Sequence, residues 1–273
     1  MCRCVYFCQL LYRHIIMNRN EIFTLWVEGP LDEFTKLCLK SWLRLGFTIK
    51  LFMYDEPCAI DISEFPQVQF LDASDIIEFN EKLESYAEQA DWFRFNYLYK
   101  YGGMWIDTDE FLIRKPPDNN IIISSEACKK TGAYAVKDRD FTPNIGVLRF
   151  PKGHKIIEET IKKCANAIKK DLKSNSNRNS LMKIFQKIVL KKCRKLVSHP
   201  LEYCPISWSY CKDIYTQPNV KSTNKYMIVQ PEMEFIIQNS VGIHLWRNLA
   251  ITKGYFDKKT HNCIFNKLLG LVS

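Results

Sequence analysis

Short apolar runs alternate with longer mixed stretches along much of this 273-residue chain. Six runs, at 23–27, 48–54, 68–71, 104–107, 121–124 and 144–150, have the length and apolar content of strands. Between them lie two helical stretches, 31–45 and 81–100. From residue 84 to 100 the second has no Pro or Gly and is apolar on nearly every face, the pattern of a buried helix. Gly102-Gly103 follows it and supplies the left-handed backbone that a helix end often needs. Strands alternating with helices predict an α/β fold, with a mainly parallel sheet flanked by helices. The length suits one domain with a sizeable core. Ligand sites in such folds lie beyond the carboxyl ends of the strands. Trp26 and Val27 fall at one such end, and Asp107-Thr108-Asp109 at another.

A strand puts residues i and i+2 on one face, about 6.5–7 Å apart along the backbone, so Asp107 and Asp109 aim at one point. Two carboxylates after an apolar run are costly unless a cation meets them, and a hard divalent ion suits oxygen ligands. One of the two is expected on the metal directly, the other through water or a substrate hydroxyl. Asp91 and Arg94, three apart on the preceding helix, share a face. An acceptor beside a fork of donors suits hydroxyl-rich ligands, although the same spacing also describes a plain surface ion pair.

These residues resemble the sugar-binding core of glycosyltransferases that carry an Asp-x-Asp motif on a GT-A fold. Relatives include α-1,4-galactosyl- and initiating α-1,6-mannosyltransferases, capsular-polysaccharide enzymes and glucosylating bacterial toxins. The resemblance runs from about residue 21 to 268. Phe23-Thr24-Leu25-Trp26-Val27 looks like the family's first strand, and Leu39-Lys40-Ser41-Trp42 like its first helix. Pro143-Asn144-Ile145-Gly146-Val147 resembles the acceptor-side strand, and Gly242-Ile243-His244-Leu245-Trp246 the closing block.

The resemblance implies a Rossmann-like GT-A sheet in a single domain over 21–273. It implies transfer of a hexose from a UDP- or GDP-sugar to a glycan, lipid or protein acceptor, with retention. Asp107 and Asp109 would be the catalytic pair, and with His244 they would hold Mn²⁺ or Mg²⁺. Asp107, Asp91 and Arg94 would contact the donor's sugar portion, and His244 the metal or pyrophosphate. Trp26 and Val27 would face the nucleobase. Read without the motif, Trp26 is a core aromatic and His244 a structural histidine. The polar segment Asn175-Ser176-Asn177-Arg178-Asn179-Ser180-Leu181 departs from relatives, which carry a Gly-Pro-Leu-like element there. That departure motivates an alternative, a nucleotide- or sugar-binding protein with weakened turnover on the same scaffold.

The net charge of +9 is concentrated in a lysine-rich stretch at 152–195. Apolar residues Ile156, Ile157, Ile161, Cys164 and Ile168 recur there at helical spacing, predicting amphipathic helices with solvated basic faces. Nucleic-acid binding would need interleaved aromatics or a known module; the stretch has neither. Contact with an anionic acceptor or a membrane surface stays open. Eleven cysteines are scattered without a Cys-x-x-Cys pair, so the sequence indicates no zinc knuckle, and many free thiols favour a reducing, cytoplasmic location. No apolar run reaches about 18 residues. Residues 1–20 read as a poorly ordered extension, with Met17 an alternative start.

Overall fold

The computed structural model describes residues 20–27, 29–54, 62–127, 141–170, 180–218 and 233–272. The extension at 1–20, apart from Asn20, and the polar segment up to Asn179 lie outside them. Strands β1 (Glu21–Trp26), β2 (Thr48–Met53), β3 (Val68–Asp72) and β4 (Gly103–Ile106) run parallel. Strand β6 (Ile122–Ala127) and the longer β7 (Phe141–Phe150) complete a six-stranded sheet in the order β3-β2-β1-β4-β7-β6. Only β7 runs against its neighbours, pairing antiparallel with β4 and β6. The expected mainly parallel sheet is therefore present.

Both faces of the sheet are covered, which is why its strands read as nearly continuous apolar runs. Helix α1 (Glu33–Arg44) packs on one face. Its first turn is capped by Asp32, whose carboxylate accepts from the Thr35 amide at 2.9 Å. Helix α2 (Tyr86–Tyr101), α3 (Lys155–Lys169) and α4 (Ser180–Lys192) cover the other. Along β1, Ile22 and Trp26 enter the first core while Phe23 and Leu25 enter the second. Phe23 stacks on Tyr97 of α2 with centroids 3.7 Å apart and meets Trp105 of β4 edge-on at 5.5 Å. Burying rings of this size contributes roughly 1.5–3 kcal/mol each, and here it fixes α2 across β1 and β4.

Helix α2 begins later than residue 81. Residues 81–84 form turn and extended chain, and Ser85, itself extended, accepts from the Glu88 amide. Only a residue with non-helical backbone can make that cap, so the helix cannot extend upstream. Its end is where the glycines place it: Gly102 has φ +71°, and a Cβ there would sit 2.6 Å from the Lys152 backbone nitrogen. Glycine is required for both reasons. The helix thus hands the chain straight to β4 and its acidic end.

The lysine-rich stretch forms α3 and α4 as expected, with Ile156, Ile157, Thr160, Cys164 and Ile168 buried and Ile161 half-buried. Part of the basic face is neutralised locally: Lys162 pairs with Glu158, and Lys163 and Lys192 share Glu159. Among the described residues, no helix is long and apolar enough to cross a membrane. The described cysteines, Cys38, Cys164, Cys193, Cys204, Cys211 and Cys263, are all free thiols.

Candidate active site

The chain leaves β4 at Ile106, turns through Asp107, Thr108 and Asp109, and re-enters extended structure as β5 (Glu110–Leu112). The Asp107 amide donates to the Gly146 carbonyl of β7 at 2.8 Å, and the Glu110 amide to the Asp107 carbonyl at 2.9 Å. Strand β5 pairs antiparallel with β8 (Gly242–His244), in a register that sets Glu110 opposite His244. Residues 134 positions apart become direct neighbours. The Leu245 amide then donates to the Asp109 carbonyl (2.8 Å), and the Arg247 amide to the Asp109 carboxylate (2.9 Å).

Three of the expected ligands converge. His244 Nε2 lies 3.6 Å from Asp109 Oδ2, and its other nitrogen, Nδ1, lies 3.0 Å from Glu110 Oε2. A Cβ built on Gly146 would stand 3.4 Å from both Asp107 Oδ2 and His244 Nδ1. The glycine keeps open the space where these groups approach. Asp107 Oδ1 is engaged already, accepting from Arg94 Nη2 (2.9 Å) and Trp105 Nε1 (2.7 Å), which leaves Oδ2 toward that space. Carboxylate oxygens and an imidazole nitrogen suit Mn²⁺ or Mg²⁺, manganese accepting the nitrogen more readily. Among the described residues, however, no three metal-ligating side chains are drawn in closely enough to enclose an ion. The donor set fits a divalent cation in chemistry, with the side chains somewhat apart.

Asp91 and Arg94 are not a surface pair. Arg94 is only 3% exposed, with Nη2 3.4 Å from Asp91 Oδ1 and Nη1 donating to the Ile145 carbonyl at 2.5 Å. Its guanidinium lies 4.5 Å above the Trp105 ring centre. One arginine therefore ties α2, β4 and β7 together and holds two carboxylates. Burial pushes Asp91 up to about 7 against the opposing pull of Arg94, with Asp107 adding to the rise. Burial likewise raises Asp107, again opposed by Arg94.

The sequence reading missed Glu110. It is 1% exposed, and burial raises it to about 7 despite its hydrogen bond with His244. For His244, burial favours the neutral ring, but Asp109 and Glu110 outweigh it and push the imidazole up to about 10. A carboxylate on one imidazole nitrogen, with the other facing an acidic motif, is the arrangement by which proteins orient a metal-ligating histidine. Gly242 makes room for it, since a Cβ there would lie 2.5 Å from Glu110 Oε1. Trp246 was legible only as part of the closing block. It adopts φ 55°, costly for a bulky residue. It is held by its ring edge-on to His244 (4.3 Å) and by its indole nitrogen on the Ile206 carbonyl (2.8 Å).

All these groups line or back a cleft of about 430 Å³ that opens beyond the ends of β1 and β4. Trp26 and Val27 stand at its β1 end. Trp26 is 4% exposed, donates to the Gly29 carbonyl at 2.8 Å, and carries the Arg247 guanidinium 4.9 Å from its ring centre. It is both a core aromatic and a cleft wall.

Residues 16–128 match the family described as "Glycosyltransferase sugar-binding region containing DXD motif". This stretch is similar to the sugar-binding region of DXD-motif glycosyltransferases. It spans β1 to β6 and contains Trp26, Val27, Asp91, Arg94, Asp107 and Asp109, while His244 lies beyond it. No curated protein sequence matches the chain. Among solved structures, "PaToxG Glycosyltransferase" is similar over 64% of this chain and 69% of its own, at 13% identity and a TM-score of 0.45. The glycosyltransferase GlyE of Streptococcus pneumoniae TIGR4 is similar at 16% identity and a TM-score of 0.37, over 66% of this chain and 45% of its own. The UDP-bound glycosyltransferase domain from the YGT toxin is similar at 10% identity and 0.38, over 88% and 78%. These partial likenesses assign no residue here.

Proposed function

We propose that this protein is a metal-dependent glycosyltransferase that moves a hexose from a UDP- or GDP-sugar to a hydroxyl of a glycan, lipid or protein, with retention. The observation that carries the reading is the convergence of Asp107, Asp109 and His244 in the cleft that Asp91 and Arg94 also enter. Asp109 and His244 would hold Mn²⁺ or Mg²⁺ directly, with Asp107 Oδ2 reaching it through water. The ion supplies Lewis-acid neutralisation of the departing diphosphate. Asp91 and Arg94 orient the transferred sugar, the carboxylate accepting from its hydroxyls while the guanidinium donates. Trp26 and Val27 bound the nucleobase end. Glu110 holds His244 in place, and Trp105 fixes Asp107 by its indole N–H.

Among the described residues, carboxylates outnumber cations around this cleft: Asp91, Asp107, Asp109, Glu110 and Glu126 face Arg94, His244 and Arg247, and Arg247 already meets Asp32. A bound divalent cation would relieve that imbalance. The test is nucleoside diphosphate release from a panel of nucleotide sugars, with Mn²⁺ or with chelator. Asp109→Asn removes an anionic ligand at nearly constant shape. If leaving-group neutralisation supplies several kcal/mol, release should fall about a hundredfold or more. Equal rates in chelator, or an unimpaired Asp109→Asn enzyme, would overturn the metal role.

A further inference from the structure

One carboxylate in the cleft has no part in the donor site. Glu126 is partly buried at the carboxyl end of β6 and lines the same cleft as Asp91, Asp109 and His244. Among the described residues its side chain has no hydrogen-bond or ion-pair partner. Burial raises its affinity for a proton, moderated by His244. A carboxylate held at the edge of a cleft without a protein donor is left to water or to a ligand that brings one.

Its place in the sheet says which ligand. Along the order β1-β4-β7-β6, the cleft begins with Trp26 and Val27, passes the acidic turn after β4, and crosses Asn144 and Ile145 of β7. It ends at Glu126, which is opposite Thr142 in the β6–β7 register. Glu126 and the nucleobase end thus lie on opposite sides of the acidic turn. A nucleotide sugar reaching from β1 would place its diphosphate at that turn and its sugar by Asp91 and Arg94. The molecule that attacks must then enter from the β6 side. Met182 and Trp208 line the cleft as well and offer apolar surface of the kind that sugar faces use.

We propose that Glu126 is the acceptor contact, accepting the hydrogen bond of the attacking hydroxyl and then its proton. The hydroxyl oxygen forms the new bond to the anomeric carbon on the same face from which the diphosphate departs, as retention requires. The bond from that carbon to the diphosphate oxygen breaks, and its electron pair leaves with the nucleoside diphosphate. The proton passes to Glu126 and on to solvent. The inference rests on the sugar-transfer reading above and adds the residue that serves the acceptor.

The experiment uses the full chain and the nucleotide sugar that wild type turns over best, with water and then 1 M glycerol as acceptor. Glu126→Gln should bind nucleoside diphosphate with Mn²⁺ within twofold of wild type, because the donor half is untouched. Its turnover with either acceptor should fall at least tenfold. In Glu126→Ala, added formate should restore part of the rate, which a merely structural carboxylate would not show. Wild-type turnover in Glu126→Gln, or lost nucleotide binding, overturns the assignment. A wild type without turnover on any nucleotide sugar overturns the transfer reading and this inference together, so the two failures are distinguishable.

Discussion

Replacing Arg94 by lysine keeps the charge and removes the fork. The guanidinium reaches Asp107 at 2.9 Å, Asp91 at 3.4 Å and the Ile145 carbonyl at 2.5 Å, while its face covers Trp105 at 4.5 Å. An ammonium is a point charge and can serve one carboxylate well. One charged hydrogen bond lost contributes about 1.5–3 kcal/mol, and the weakened cation–ring contact about 0.5–1 kcal/mol. Arg94→Lys should therefore destabilise by about 2–4 kcal/mol, a large share of a typical domain's 5–15 kcal/mol. An exposed helical pair would cost only a few tenths. Urea unfolding measures this, provided the m-value is unchanged. Asp91→Asn separates stability from function. Its carboxylate is already pushed up to about 7 by burial, so neutralising it should change stability by less than about 1 kcal/mol. If Asp91 serves the transferred sugar, turnover of the nucleotide sugar should still fall at least tenfold, with nucleoside diphosphate binding nearly intact. Wild-type turnover in both variants would refute the sugar clamp and leave Arg94 a purely structural strut.

Two further outcomes follow from the same cluster. Glu110→Gln should keep the shape around His244 but weaken Mn²⁺ binding by roughly 10–100-fold, the usual effect of losing a partner behind a ligating histidine; unchanged Mn²⁺ affinity by titration would exclude that role. The metal-free protein should also lose stability as pH rises. Asp91 and Glu110 sit near 7 when folded, above their ordinary carboxylate values, and His244 near 10, above its ordinary 6.5. The folded state thus binds more protons than the unfolded one, so stability declines between about pH 4 and 7 through the carboxylates and between about 6.5 and 10 through His244. Melting temperatures that rise across that span without metal would contradict the assignment.

The sheet was legible because each strand announces itself locally. All six expected strands appear, with ends shifted by at most three residues, since alternation and apolar runs depend only on neighbours in sequence. The Asp107–Asp109 turn and the Asp91–Arg94 face were legible for the same reason: their geometry follows from strand and helix periods. The errors lie where a cap or a distant partner decides. Ser85 ends helix α2 five residues past its expected start, because one side-chain hydrogen bond to Glu88 outweighs the helical propensity upstream. Ending β6 at residue 124 left Glu126 outside any element, although the ladder with β7 carries the strand on to Ala127.

Glu110 shows why the remainder of the site could not be read along the chain. Its position directly after Asp109 gives it the look of one more acidic loop residue. Its role exists only because β5 pairs with β8, and each of those strands is three residues long, too short for a period to register. That pairing is nonetheless what brings His244 to Asp109, since the Glu110–His244 register and the Leu245 and Arg247 amides on Asp109 all depend on it. The matched sugar-binding region ends at residue 128, so the third expected metal ligand comes from outside it. A two-stranded ladder therefore joins the region that carries the acidic motif to the distant histidine proposed as its partner on the metal.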